Sequence, residues 1–93
     1  MIKVIIERVL ADDMERTYDF EIRKSLKVIT KAKGYITVTS YSNLDNPKIR
    51  TIITNWDSVD CWDRWHKSEM RREVNNAITL MLQQDERIKV LVS

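Results

Sequence analysis

The sequence has little of several features that often mark a function. Its 93 residues contain one cysteine, one glycine and one proline. A single cysteine excludes an intramolecular disulfide and a multi-cysteine metal site, and it favours a reducing, cytoplasmic setting. One glycine excludes a glycine-rich phosphate loop. No apolar run approaches the roughly 18 residues of a membrane helix, and charges come too early for a signal peptide, so we expect a cytoplasmic protein with no membrane segment.

The charge balance argues against a nucleic-acid partner. The sequence has 16 basic and 14 acidic residues, which gives a net charge of +2, and the two signs are mixed along the chain. Nucleic-acid-binding domains instead carry a basic patch or stripe. The length predicts a single domain spanning residues 1–93. A core this small is marginal by itself, so a homodimer is expected.

Hydrophobic patterning predicts four strands, at residues 2–10, 35–42, 49–56 and 87–92. Turn-forming residues at 43–47 predict a hairpin between the second and third strands. Both faces of the first strand carry aliphatic side chains. This indicates that helices cover one side of the sheet and that a second apolar surface covers the other.

Two helical regions lie between these strands. In the first, Asp12 and Glu15 have the spacing of a capping box, and Gly34 is the expected left-handed stop, so a helix is predicted to begin near Asp12. The second region begins at Asp57 or Ser58 and is predicted to break, with Ser68 capping its second half. Apolar side chains recur at helical spacing in both regions.

The resulting β-α-β-β-α-β order predicts a ferredoxin-like α+β fold. Right-handed crossovers place the helices on one face of a four-stranded antiparallel sheet. The other face is left bare in a single chain, so we expect two chains to pair sheet to sheet.

Between Gly34 and Ser68 the chain resembles the antibiotic biosynthesis monooxygenase (ABM) family of dimeric α+β barrels. The resemblance is carried by Gly34, Tyr41, the turn at 45–47 and Trp56, and it extends over the whole chain in element order. It implies a cofactor-independent monooxygenase that acts on an aromatic or quinol-like compound. No cofactor or metal ion is expected. The alternative is a non-catalytic ligand-binding or regulatory domain of the same fold.

Two branches of the family are informative residue by residue. In quinone-forming members a functional Trp corresponds to Trp56, but their catalytic Asn falls on Ile52 and their pocket Tyr falls on Trp62. In haem-degrading members a Trp corresponds to Trp65, whereas their Asn falls on Glu7 and their haem-ligating His falls on Asn75. Haem degradation is therefore not expected, because the axial ligand is missing.

These residues make up the candidate site. Trp56, Trp62 and Trp65 are expected to line an apolar pocket for a planar ligand with Ile52, or else simply to pack the core. Glu7 is a candidate general base, because the family resemblance implies that it lies in that pocket. The alternative is that Glu7 forms an ion pair with Arg50 or Lys89.

His66, the only histidine, is a candidate proton shuttle beside Trp65, or an exposed residue without a role. Asp57, Asp60 and Asp63 recur every three residues, but on a helix they are expected to form a solvated acidic edge and not a metal site.

Overall fold

The computed structural model describes residues 1–93. The seven elements in chain order are β1 (Ile2–Val9), α1 (Glu15–Ile29), β2 (Tyr35–Ser42), β3 (Ile49–Trp56), α2 (Val59–His66), α3 (Glu69–Thr79) and β4 (Arg87–Val92). The four predicted strands and the break in the second helical region are confirmed. None of the three helices has the length and apolar character that a membrane span requires.

The strands form one antiparallel sheet in the order β2-β3-β1-β4. β1 is central, and its Ile5 lies opposite Ile53 of β3 and Lys89 of β4. A bulge near the start of β2 shifts the register between Tyr35 and Thr37. This strand order, with helices against one face, is the predicted ferredoxin-like α+β fold.

Strand alternation sends every second side chain of β1 and β3 towards the helices. These side chains are buried, whereas their neighbours on the other face are half-buried or exposed. Tyr18 and Ile22 of α1 and Ile78 of α3 pack against them. The core therefore lies between the sheet and the helices, and it includes Ile2, Val4, Ile6, Ile52 and Trp56.

The other face of the sheet has no covering element in a single chain. Aliphatic side chains lie opposite one another on it, Ile5 facing Ile53 and Val9 facing Ile49 across the strands. All four are only half-buried. We call this the uncovered face.

The predicted start of the first helix is wrong. The helix begins at Glu15 with Met14 as its N-cap and has no side-chain capping bond. Asp12 instead pairs with Lys48 beside the hairpin turn. Asp13 takes a positive φ of 62°, which turns the chain from β1 into α1. Asp12 is therefore used in a tertiary contact that a local capping pattern does not reveal.

Candidate functional site

Three tryptophans meet on the helix-covered side of the sheet. Trp56 ends β3, and Trp62 and Trp65 lie three residues apart on α2, so both indoles face the sheet. The ring centroid of Trp56 is 5.9 Å from that of Trp62 and 6.4 Å from that of Trp65. All three are buried, and the Trp56 indole N–H donates to the Thr54 hydroxyl at 2.9 Å. The structure therefore brings the predicted tryptophan cluster together, as part of the core.

Helix α2 is fixed at both ends by serine side chains. The Ser58 hydroxyl accepts a hydrogen bond from the Cys61 backbone N–H at 3.2 Å. The Ser68 hydroxyl donates to the Trp65 carbonyl at 2.7 Å and accepts from the Arg71 N–H at 3.1 Å, which also starts α3. These bonds satisfy groups that a helix terminus leaves free, so they hold the two indoles in place.

A cavity of about 190 Å³ lies on one flank of α2, beside Trp65. Its apolar wall consists of Ala32, Cys61, Trp65 and Met70. Cationic side chains line its rim, and no carboxylate or imidazole lines it; the rim residues are Lys31, Lys33 and Arg64. We call this the Trp65 cavity. An apolar wall with an indole plane suits a flat aromatic ligand.

Gly34 fixes the end of the loop, residues 31–33, that lines this cavity. Its φ is +82°, a conformation that side-chain-bearing residues rarely adopt, and a Cβ on it would overlap the Cys61 side chain. The Gly34 carbonyl also accepts a hydrogen bond from the Asp57 N–H at 2.8 Å. The predicted left-handed conformation of Gly34 is confirmed, but its predicted place as the stop of the first helix is wrong, because α1 ends at Ile29 with Thr30 as its C-cap. Its second role, close packing of the loop against α2, could not be predicted from the sequence.

His66 lies on the other flank of α2 and does not line the Trp65 cavity. Its ring stacks on Trp62 with centroids 5.0 Å apart. Burial, and then the positive charge of Arg71, lower the pKa of His66 below its usual value, so the imidazole is neutral at neutral pH. Its Nδ1 is buried and has no hydrogen-bond partner. A neutral ring with a free nitrogen is equipped to accept or donate a proton.

Behind His66 lies a buried polar network that the motif analysis missed. Arg8 is only 3% exposed and donates to Glu86 at 2.9 Å, to the Tyr18 hydroxyl at 3.1 Å and to the Asn75 side-chain oxygen at 3.1 Å. Arg71 donates to the other oxygen of Glu86 at 2.7 Å. Burial raises the pKa of Glu86, but the two guanidinium groups outweigh it and hold the pKa below its ordinary value. The sequence gives one signal for this network: Arg8 alternates in step with the buried aliphatic residues of β1 and therefore faces the helices.

The structure does not bring Glu7 to the tryptophans. Glu7 is exposed on the uncovered face, opposite Thr51 and Arg87, because strand alternation points it away from the helices. The expected pocket shared by Glu7 and Trp65 is therefore absent from the single chain. Glu7 lies in a cleft with Arg87 and Lys89, without a salt bridge.

Two further candidates also lie away from the Trp65 cavity. The expected pairing of Glu7 with Arg50 is wrong, because Arg50 faces the helices and pairs with Asp19. Ile52 is 5% exposed and packs in the core, next to Ile6 across the strands, so it does not line the cavity. Of the six predicted site residues, only Trp65 lines it.

Several solved structures share this fold at low sequence identity. An antibiotic biosynthesis monooxygenase crystal structure is 14% identical with a TM-score of 0.91, over 100% of this chain and 98% of the other. A conserved protein from Methanosarcina mazei Go1 is 19% identical with a TM-score of 0.88, over 96% of this chain and 88% of the other. A mutant of SnoaB, a cofactor-independent oxygenase from Streptomyces nogalater, is 9% identical with a TM-score of 0.87, over 99% of this chain and 91% of the other. At these identities the likeness establishes the fold.

The sequence itself identifies the family. A comparison with curated proteins found no match. The model of the antibiotic biosynthesis monooxygenase family, by contrast, matches residues 1–77, which include the tryptophan cluster and most of α3. The chain belongs to the antibiotic biosynthesis monooxygenase family.

Proposed function

We propose that this protein is a cofactor-independent monooxygenase that binds a small aromatic or quinol-like compound in the Trp65 cavity. Membership of the family supports the reaction. The choice of site is supported by the cavity itself. The Trp65 indole forms part of its apolar wall, and the cavity has room for one ring. The Trp56 indole stacks on that of Trp65, and the Trp62 indole packs edge-on against Trp56.

The proposed reaction draws its electrons from the substrate. An ionised phenol is electron-rich at its ring carbons and reacts there with O₂. When a ring C–H of the phenol is oxidised to give a quinone, one oxygen atom of O₂ becomes the new carbonyl oxygen, and the other leaves as water with the ring hydrogen and the phenolic hydrogen. The substrate supplies all four electrons, so no separate reductant is required. The protein has to bind the ring, favour its ionised form and exclude competing water.

The catalytic roles of Trp65, His66 and Glu7 remain predictions. Trp65 is the one of the three that lines the cavity. His66, with its neutral ring and unpartnered Nδ1, is one residue further along α2 and is the candidate proton shuttle. Glu7 would act only if a second chain closed the uncovered face and placed a ligand there.

We also propose that two chains pair through their uncovered faces. Four aliphatic side chains lie together there: Ile5, Val9, Ile49 and Ile53. Leu91 on the edge strand is 47% exposed. A monomer with a core this small gains most by covering such a surface with a copy of itself.

The second candidate function is a ligand-binding or regulatory domain without catalysis. One observation favours it: no carboxylate or imidazole lines the Trp65 cavity, so no general base is in contact with a ligand there. Ile52 also occupies the position of the catalytic Asn of quinone-forming members. Such a domain would bind the same aromatic compounds and leave them unchanged.

Oxygen consumption separates the two functions. The protein is mixed with methylhydroquinone in isotopically labelled O₂, and the product is analysed by mass spectrometry against a protein-free blank. An oxygenase incorporates the label into the ring product. Trp65→Phe should lower kcat/KM, whereas Phe20→Leu, which changes an exposed aromatic side chain of α1 outside the cavity, should retain it. Binding with no labelled product would identify the non-catalytic domain.

A further inference from the structure

The rim of the Trp65 cavity concentrates positive charge. Lys31, Lys33 and Arg64 line it, and none of the three forms a salt bridge within the chain. The whole chain has a net charge of only +2, so this excess is local. Cys61 is the only other titratable group that lines the cavity. A ligand bound there therefore meets three cations and no compensating acid.

The cavity has room for one ring and is open to solvent on one side. Its volume is about 190 Å³. An engineered apolar cavity of roughly 150 Å³ is large enough to bind benzene. A single ring with one or two small substituents therefore fits within it. A ring bound there lies among the apolar side chains and the three cationic ones that line the cavity together.

We propose that the Trp65 cavity binds a single-ring phenol as its anion, and that the rim cations take the place of a general base. The phenol O–H bond breaks, the oxygen keeps the electron pair, and the proton passes to bulk water. The three cations stabilise the phenolate that remains. This narrows the substrate class of the proposed oxygenase and rests on that function. It also accounts for a cavity without carboxylate or imidazole.

Electrostatics gives the expected size of the effect. An opposite charge within about 4–6 Å lowers the pKa of an acid by roughly 1–3 units. Solvent screens rim side chains, so the lower end, about one unit, is expected for the bound phenol. By the thermodynamic cycle, a shift of one unit means that the phenolate binds about tenfold more tightly than the neutral phenol.

A chromogenic phenol tests this directly. Para-nitrophenol, whose ionisation changes its visible absorbance, is titrated with pH in the presence and absence of excess protein. Para-nitroanisole, which has nearly the same shape but no ionisable group, serves as the neutral ligand. The pKa of bound para-nitrophenol should fall by about one unit, and para-nitroanisole should bind about tenfold more weakly than the phenolate. Raising the salt to about 1 M should reduce both effects.

Substitutions assign the effect to the rim. Lys33→Gln and Arg64→Gln should each weaken phenolate binding by about two- to fivefold, and the double variant by about tenfold. Arg23→Gln, which removes an exposed charge of α1 outside the cavity, should change nothing. Ala32→Leu, which fills the cavity, should abolish binding of both ligands. Melting temperatures are compared so that loss of folding is not mistaken for loss of binding.

Three results would overturn the proposal: an unshifted pKa for bound para-nitrophenol, equal affinity for para-nitroanisole, or an unchanged shift in the double variant. The outcome is separable from that of the proposed oxygenase. A shifted pKa with no labelled product from methylhydroquinone supports the anion site and refutes the oxygenase. Labelled product with an unshifted pKa supports the oxygenase and refutes the anion site.

Discussion

Replacing Glu86 with glutamine is expected to be the most destabilising isosteric change in this chain. The Glu86 side chain is 16% exposed and accepts hydrogen bonds from both Arg8 and Arg71. Arg8 is 3% exposed, so it depends on this carboxylate for charge compensation. The amide in Glu86→Gln keeps one acceptor oxygen, but it directs an N–H₂ group towards one of the two guanidinium groups.

The magnitude follows from the burial of the pair. Removing one partner of a buried ion pair costs about 3–5 kcal/mol, because the remaining charge is left uncompensated. The lower end, about 3 kcal/mol, applies here because Tyr18 and Asn75 still accept hydrogen bonds from Arg8. Small domains are stable by only about 5–15 kcal/mol, so this is a large fraction of the total.

The same carboxylate gives the folded state a pH dependence of known sign. The two guanidinium groups hold the pKa of Glu86 below its ordinary value of 4.5. As the pH falls below that value, the unfolded chain takes up the proton first, so the wild-type protein loses stability. The stabilisation is complete above about pH 4.5 and is lost as the pH falls through the lower folded-state pKa. Glu86→Gln should lack this component of acid destabilisation.

Urea unfolding at pH 7 and at several values down to pH 3 tests both statements. A loss of about 3 kcal/mol lowers the urea midpoint by roughly 1–3 M. Protein concentration is held constant because a dimer unfolds with a concentration-dependent midpoint. Glu73→Gln, which removes an exposed charge without a salt bridge on α3, is the control and should change stability by less than about 0.5 kcal/mol. The reasoning is refuted if Glu86→Gln lies within 1 kcal/mol of the wild type or keeps its full acid sensitivity.

Four further predictions concern single positions. Sedimentation should give a mass near twice 11.1 kDa. Ile5→Glu, on the uncovered face, should halve this mass while the chain stays folded, whereas Ile6→Glu should unfold the chain because it buries a charge in the core. Gly34→Ala should lose at least about 1 kcal/mol in urea melts, because it combines a disfavoured φ with an overlap with the Cys61 side chain. Haem titration should give no stoichiometric Soret-band complex, because the family resemblance places Asn75 where haem-degrading members have their ligating His; a tight complex would contradict this. If the second chain brings Glu7 to a ligand, Glu7→Gln should abolish oxygenase turnover while the variant stays folded, and unchanged turnover would remove Glu7 as a candidate base.

The sequence predicts the secondary structure well because the patterns are local. Alternation in β1 and β3 sets which side chains face the helices, and the same alternation puts Arg8 on that face and Glu7 on the other. The placement of Glu7 in the pocket came from the family resemblance and went against this alternation. Where a residue-by-residue match between distant relatives conflicts with strand alternation, the alternation is the better guide, because a shift of one residue moves a side chain to the opposite face.

The Trp65 cavity and the Arg8 network could not be predicted in the same way. Glu86 and Asn75 lie 78 and 67 residues from Arg8 along the chain, so no sequence window contains the pair. The cavity is assembled from the loop after α1, from α2 and from the start of α3, and its shape depends on the contact between Gly34 and Cys61. Tertiary contacts of this kind leave only weak signals, such as one arginine in an aliphatic strand.

The two kinds of positive charge in this fold have different consequences. The guanidinium groups of Arg8, Arg50 and Arg71, which lie largely inside the fold, each have a carboxylate partner. Pairing offsets the cost of removing them from water, and little of their charge remains available to a ligand. The cations at the rim of the Trp65 cavity have no such partner, and water solvates them at little cost. A bound anion that displaces this water would meet their uncompensated charge beside an apolar wall, where electrostatic attraction is stronger than in bulk solvent. The binding specificity of the domain is therefore expected to depend on residues that contribute little to its stability.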